Sequence, residues 1–178
     1  MLAKLEQLYD RVSDVIGYIS GALMILMMIN VFYDVIMRYF FRSGSIALQE
    51  MEWHLFSVMF LLGISYTLKE NGHVRVDLIY DNLSIKKQAV INIVGTLVFL
   101  IPFSLLIAFG SIDFVAEAYN VGEISGDPGG LTHRWIIKAI IPFSFFLLVL
   151  SSIGFVIKNL NLYRGGNAPV ASAKEEQA

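Results

Sequence analysis

Asp34 and Arg38 stand four residues apart with the acid first, the order in which a carboxylate and a guanidinium pair best along one face of a helix. Both fall at the far end of a long apolar stretch. A charge at mid-bilayer costs about 2.5 to 3.5 kcal/mol, so an ionisable residue within a span is a functional hypothesis by default. An ion or proton relay is one reading of the pair. A local charge pair, or a polar anchor to a neighbouring protein helix, is the expected one. Glu50, Glu52 and His54 raise metal binding next. Positions i and i+2 on a helix point about 200° apart, so Glu50 and His54 share a face that Glu52 leaves. The Glu-x-x-His spacing of carboxylate-bridged metal sites is absent, and a polar cluster at headgroup level is expected instead. His54, His73 and His133 bring haem into question, because two facing imidazoles in a membrane bundle can ligate it. His54 and His133 fall near one surface and His73 near the other. No metal or cofactor is expected. The chain has no cysteine, which excludes disulfides, thiolate metal sites and cysteine catalysis.

The residues from Val121 to Gly130 form a run dense in turn formers. A phosphate cradle would need a Lys-Ser/Thr pair after the glycines and a strand before them, and neither is present.

The elements that must position these groups are four stretches free of Asp, Glu, Lys and Arg: Val15 to Tyr33, Trp53 to Leu68, Ala89 to Ile112 and Ala139 to Ile157. They run to about 19, 16, 24 and 19 residues, and a helix needs about 20 to cross a bilayer. With 56% hydrophobic and 16% charged residues and a mean hydropathy of +0.65, the chain reads as an all-α membrane protein with four transmembrane helices. The predicted spans are about 13–40, 46–69, 85–117 and 132–160, in one domain over residues 1–164. Residues 165–178 read as a disordered tail. The first stretch is too long for a signal-peptide core of about 7 to 15 residues and lacks a cleavage pattern, so it is taken as a retained helix.

Nine of the 13 basic residues lie before the first span, between the second and third, or after the fourth. The positive-inside rule then puts both termini and the loop around His73 in the cytoplasm. Trp53 and Trp135 mark the opposite interface, where indole rings prefer the headgroup level. Residues 1–14 place Leu2, Leu5, Leu8, Tyr9 and Val12 at helical spacing, an amphipathic lead-in that lies on the membrane or runs straight into the first span. Ser13, Gly17 and Gly21 form a small-residue ladder, the usual means of close helix approach in lipid. It serves packing within this chain or against another subunit equally well. Pro102 and Pro142 each remove a backbone hydrogen bond inside a span and favour a kink there. Thr132 is the expected N-cap of the fourth helix. Asp113 and Glu117, spaced i, i+4, repel each other and need water or a basic partner such as Arg134. No internal repeat and no pair of broken helices is visible, which counts against a self-sufficient transporter.

The most specific stretch is Leu62-Gly-Ile-Ser-Tyr-Thr-Leu-Lys-Glu-Asn-Gly72-His73-Val74-Arg75-Val76-Asp77. It occurs in order with Asp34-Val-Ile-Met-Arg38-Tyr39, with Glu50 and Glu52 opening the second helix, and with Pro128-Gly-Gly-Leu131 before the fourth. Over about residues 10 to 160 this set resembles the small membrane subunit of TRAP (tripartite ATP-independent periplasmic) transporters. The resemblance implies a multi-pass protein of the bacterial inner membrane that is not an enzyme. It implies a large membrane subunit carrying solute and sodium by an elevator motion, and a periplasmic protein that captures the solute, usually an organic acid. In that setting this chain is a stator, with membrane phospholipids around it and no nucleic acid. Gly17, Gly21, Asp34, Arg38, Glu50 and Glu52 are then the expected subunit interface, and Gly72, His73, Arg75 and Asp77 a cytoplasmic loop motif. The alternatives are a haem-bearing anchor of a respiratory enzyme and an autonomous small exporter.

Overall fold

The structure, a computed structural model, describes residues 2–72 and 80–165, with side chains from residue 7 onward. Four helical spans account for nearly all of it. The first, α1 (Leu2–Phe40), is unbroken, so the amphipathic lead-in runs straight into the membrane segment. Arg42 adopts a φ of 52° just after it, and Ser43 N–H returns to Met37 C=O at 3.0 Å, which turns the chain. Ser45 then caps α2 (Ile46–Lys69) by accepting from Leu48 N–H at 3.4 Å. The other end of α2 is closed by Asn71 at φ 53°, with Asn71 N–H bonded to Leu68 C=O and Gly72 N–H to Thr67 C=O. Asn and Gly are the residues that tolerate that left-handed position, and the two bonds satisfy carbonyls the helix leaves open.

The third span is not one regular helix, and one of its irregularities lies at Pro102, where a lost backbone bond is expected. It consists of α3 (Ile85–Gly95), a π-helical turn (Thr96–Leu100), α4 (Ile101–Gly110) and α5 (Ile112–Asn120). Pro102 has no N–H to offer Val98 C=O, and immediately before it Ile101 N–H reaches back five residues to Thr96 C=O. The second interruption is at Ser111, whose Oγ donates to Ile107 C=O at 2.6 Å. Side-chain bonding of this kind to the preceding turn bends helices. Gly122 at φ 60° ends α5 as Asn71 ends α2. The fourth span, α6 (Trp135–Tyr163), passes through Pro142 as one helix and stops at Gly165, φ 87°. It begins at Trp135 rather than near Thr132. Thr132 does not cap it, because its hydroxyl meets His133 Nδ1 at 2.8 Å and no side chain caps this helix.

The spans form an open row rather than a closed bundle. α1 packs on α2, α2 on α6, and α6 on the third span, while α1 and α6 touch over a shorter length. Among the described residues the third span has no comparable contact with α1 or α2. The seam is built from small residues: Ser13, Ser65, Ser104, Ser144, Ser151 and Ser152 are all buried. Close backbone approach is the main source of helix association in lipid, and these side chains permit it. Tyr9, Leu68, Leu148 and Phe155 make the apolar core, with Ile64, Leu100 and Phe145 packed against it. The broad faces of the row are left apolar and exposed, as with Phe32 and Phe40 on α1 and Phe99 and Leu106 on the third span.

Candidate functional site

The row has two ends. The hairpin end carries the 41–45 connection and the 121–134 loop; the terminal end carries the start of α1, the close of α2, the start of α3 and the close of α6. At the hairpin end, Glu50 is one turn into α2, and α2 meets α6 there, so its side chain points at the loop that precedes α6. It is only 8% exposed. Its two carboxylate oxygens take different donors from that loop. Ser125 Oγ donates to Oε1 at 2.5 Å and Leu131 N–H donates to Oε2 at 2.6 Å. Hydrogen bonds to an ionised acceptor are about twice as strong as neutral ones, and burial makes each of them costly to lose.

The loop closes on itself around that carboxylate. Ser125 N–H bonds to Leu131 C=O at 2.9 Å, Gly130 N–H to Asp127 C=O at 3.0 Å, and Arg134 N–H to Glu123 C=O at 3.1 Å. Gly130 is required by space. A Cβ there would overlap the Ser125 side chain and stand 2.8 Å from Glu50 Oε2. Around the lock, Arg134 lies over the Trp53 ring at 5.5 Å, Tyr119 meets Trp135 edge to face at 5.4 Å, and Lys138 pairs with Glu123. Glu50 is therefore enclosed by the loop rather than open at the surface. Glu52 is half-buried and outside the lock. Arg134 does not serve Asp113 and Glu117, which stay exposed at the surface of α5.

His54 uses Nδ1–H to reach Glu50 C=O at 2.6 Å, with its ring 3.9 Å from that of Trp53. His133 sits in the loop at φ 60°. Among the described residues no three His, Asp or Glu side chains converge as a metal ion would require.

Asp34 pairs with Arg38, as their spacing implies. The two differ in environment: the Asp34 side chain is 3% exposed and that of Arg38 is 45% exposed. Asp34 Oδ1 is enclosed with no partner among the described residues, so a neighbouring subunit can reach the guanidinium and not that oxygen. One turn earlier, Asn30 Nδ2 donates to Leu48 C=O at 2.9 Å and ties α1 to the first turn of α2.

The small-residue ladder of α1 divides. Ser13 is buried, and a Cβ on Gly17 would stand 2.6 Å from the ring of Tyr66 in α2, so these two serve packing inside the chain. Gly21, one turn on, has no atom within 4 Å of the same position. At the terminal end Tyr9 lies on Gly154 of α6, where a Cβ would overlap the ring. Lys69 pairs with Asp14 nearby, and Lys158 lies 4.0 Å from Asp10. Asn92 Nδ2 donates to Asn159 Oδ1 at 2.8 Å and joins α3 to α6. Gly72 belongs to the closing turn of α2, whereas His73, Arg75 and Asp77 lie outside the described residues. Sequence reasoning missed Ser125, Gly130 and Leu131 as partners of Glu50, and Tyr9 and Tyr66 as partners of glycines. The one available signal was an acid at the head of an apolar span, followed much later by a loop rich in free backbone N–H groups.

The family model for the DctQ component of tripartite ATP-independent periplasmic transporters matches residues 27–162. Two proteins of Haemophilus influenzae, both provisionally named TRAP transporter small permease proteins, are similar along most of their length. One is 32% identical over 139 residues, covering 77% of this chain and 86% of the relative. The other is 26% identical over 135 residues, covering 76% and 81%.

Proposed function

This chain belongs to the DctQ family, the small-permease component of TRAP transporters, and we propose that within such a transporter it acts as a stator for the large membrane subunit. Membership makes it a transporter component, not an enzyme, and a multi-pass protein of the bacterial inner membrane. The family implies a tripartite complex with a large membrane subunit and a soluble binding protein. The stator reading goes further. It assigns the solute path and sodium coupling to the large subunit, which moves by an elevator motion, and it makes the solute an organic acid delivered from the periplasm.

The observation that supports it best is the open row. Four spans packed through α6 leave apolar helix faces exposed, and the third span touches neither α1 nor α2 over a comparable length. Exposed faces of that kind give a large neighbour extended helix surfaces to lean on. The polar groups between its helices are mainly serines at close contacts and the Asn92–Asn159 bond, which hold helices together. The same reading puts the terminal end in the cytoplasm, where the basic residues concentrate, and the 121–134 loop in the periplasm.

The test is reconstitution. Vesicles holding the large subunit and this chain, given the binding protein and an inward sodium gradient, should accumulate a radiolabelled organic acid. Omitting this chain should abolish uptake and lower the yield of folded large subunit. Full uptake by the large subunit alone, or saturable solute binding by this chain alone, would refute the stator role.

A further inference from the structure

Among the described residues the third span packs at length on α6 alone, and where α3 begins and α6 ends the two helices leave a groove of about 530 Å³. A concavity of that size suits a small ligand. Its rim is polar, made of Ser84, Lys86 and Lys87 at the start of α3 and of Tyr163, the last residue of α6. All four are exposed, and the Ser84 hydroxyl caps no helix. Lys86 and Lys87 bring the only charges in the lining, and neither has an ion-pair partner among the described residues. By contrast, Lys69, Lys138 and Lys158 each meet a carboxylate. The groove is also held in shape. Gln88 Nε2 donates to Tyr80 C=O at 3.0 Å and to Leu83 C=O at 3.1 Å, which fastens the turn before α3 and sets the Leu83 wall. The Asn92–Asn159 bond fixes α3 against α6 a little deeper.

Below the rim the lining turns apolar at Val90 and Ile91, and exposed Val94 continues it one turn deeper. The charge-free part of the span starts at Ala89, so the two ammonium groups stand at headgroup level and the apolar side chains in hydrocarbon. Positive charge above an apolar track is the complement of a phospholipid, which carries its phosphate above its acyl chains. A free phosphate has no use for the apolar floor. A neighbouring span is a poorer fit, because helix seams in lipid are built on small residues, as the buried serines of this chain are. This face instead presents two lysines and branched side chains. Basic pockets between helices at the cytoplasmic side select anionic headgroups, and the positive-inside rule puts this end of the row there. We propose that the groove holds one anionic phospholipid, with its phosphate between Lys86 and Lys87 and an acyl chain along Val90, Ile91 and Val94, joining the start of α3 to the end of α6. Such a site requires only that the four spans cross a bilayer, not that the chain serves a transporter.

The experiment is native mass spectrometry of the purified full chain in a neutral detergent, titrated with phosphatidylglycerol or with phosphatidylcholine. One phosphatidylglycerol should be retained at concentrations where phosphatidylcholine is not. Combining Lys86→Gln with Lys87→Gln should weaken phosphatidylglycerol binding about thirtyfold and erase the preference. Because both lysines are exposed, that variant should melt as wild type in lipid-free detergent. Lys86→Arg with Lys87→Arg keeps the charge and should keep the preference. Arg11→Gln, which removes an exposed charge at the same end of the row, should bind as wild type does. Inorganic phosphate and glycerol phosphate, which lack acyl chains, should not displace the lipid. The proposal is overturned if the double glutamine variant keeps the preference, or if Arg11→Gln weakens binding as much as it does. Displacement by either free phosphate would overturn it as a lipid site. Loss of co-purification with the large subunit in the double glutamine variant, with lipid selectivity intact, would give the groove to a protein instead. Should that variant not purify, the wild type decides alone, since equal retention of the two lipids overturns the proposal.

Discussion

At the terminal end, the ring of Tyr9 occupies the space that Gly154 leaves on α6, and the ring of Tyr66 occupies the space that Gly17 leaves on α1. At the hairpin end, one carboxylate gathers a loop through directional bonds to a hydroxyl and a backbone N–H. Steric fit governs the first region and hydrogen-bond geometry the second. Fit is non-directional and collective, so its loss spreads along two whole helices. A two-bond lock is local, and its loss frees a loop while the spans stay packed. The ion pairs at the terminal end, Lys69 with Asp14 and Lys158 with Asp10, each include a partner that is at least one-third exposed. Pairs of that kind contribute at most about 1 kcal/mol, so the rings on glycines carry that end.

The sharpest way to break this contrast is Gly154→Leu. A Cβ alone overlaps the Tyr9 ring, and the remaining carbons would push α1 off α6 where the row is already narrow. Overpacking of this kind costs about 1 to 3 kcal/mol, and this substitution belongs at the top of that range. Thermal unfolding of the purified protein in detergent should show the largest drop of any variant considered. An unchanged midpoint would mean that α1 is held by α2 alone.

Gly17→Ala should follow with a smaller loss, because its single added carbon stands 2.6 Å from an edge of the Tyr66 ring that can tilt. A loss of about 1 kcal/mol is expected. The double variant with Tyr66→Ala tests the cause. If the ring is the obstacle, Gly17→Ala should cost nothing in a Tyr66→Ala background, giving a coupling of similar size. Additive losses would show that Gly17 matters for something other than Tyr66.

Gly130→Ala probes the other region, and its signature should be local. The new methyl overlaps Ser125 and crowds Glu50, so both bonds of the lock must open together. Amide exchange should rise at Ser125 and Leu131 while protection in α2 and α6 holds, and the melting midpoint should move less than for either terminal-end variant. A global loss of protection would place the hairpin end in the same cooperative unit as the helices.

Much of this architecture is legible in the order of residues, and the illegible part has a common physical cause. Four charge-free stretches announce four spans because lipid admits few unpaired charges or backbone groups. Asp34 and Arg38 announce their pair because both sit on one helix, where spacing alone sets the distance. Glu50 with Ser125 and Leu131, and Tyr9 with Gly154, are separated by tens of residues. Their meeting depends on which helix lies beside which, and that order of the row is not written in any one span. The π turn before Pro102 was half legible, since a proline predicts a lost bond but not the form of the adjustment. Thr132 has the chemistry of a cap and fails to act as one because the loop puts His133 beside its hydroxyl.

Gly21→Leu should have the smallest effect on the isolated chain, and it completes the comparison on a single helix. Gly17 and Gly21 are one turn apart and share residue type, helix and ladder, yet one faces a ring and the other faces open space. A Cβ at position 21 has no atom of this chain within 4 Å, Gly21 is exposed, and leucine replaces a residue of low helix propensity, so the melting midpoint should hold or rise slightly. Any penalty must then come from another molecule. If the large subunit leans on this face of α1, Gly21→Leu will reduce its co-purification while the small subunit alone remains as stable as wild type. Gly17→Ala will show the converse, destabilising the small subunit before assembly is reached. Wild-type co-purification with Gly21→Leu would remove this stretch of α1 from the interface and direct attention to the exposed guanidinium of Arg38 or to the third span.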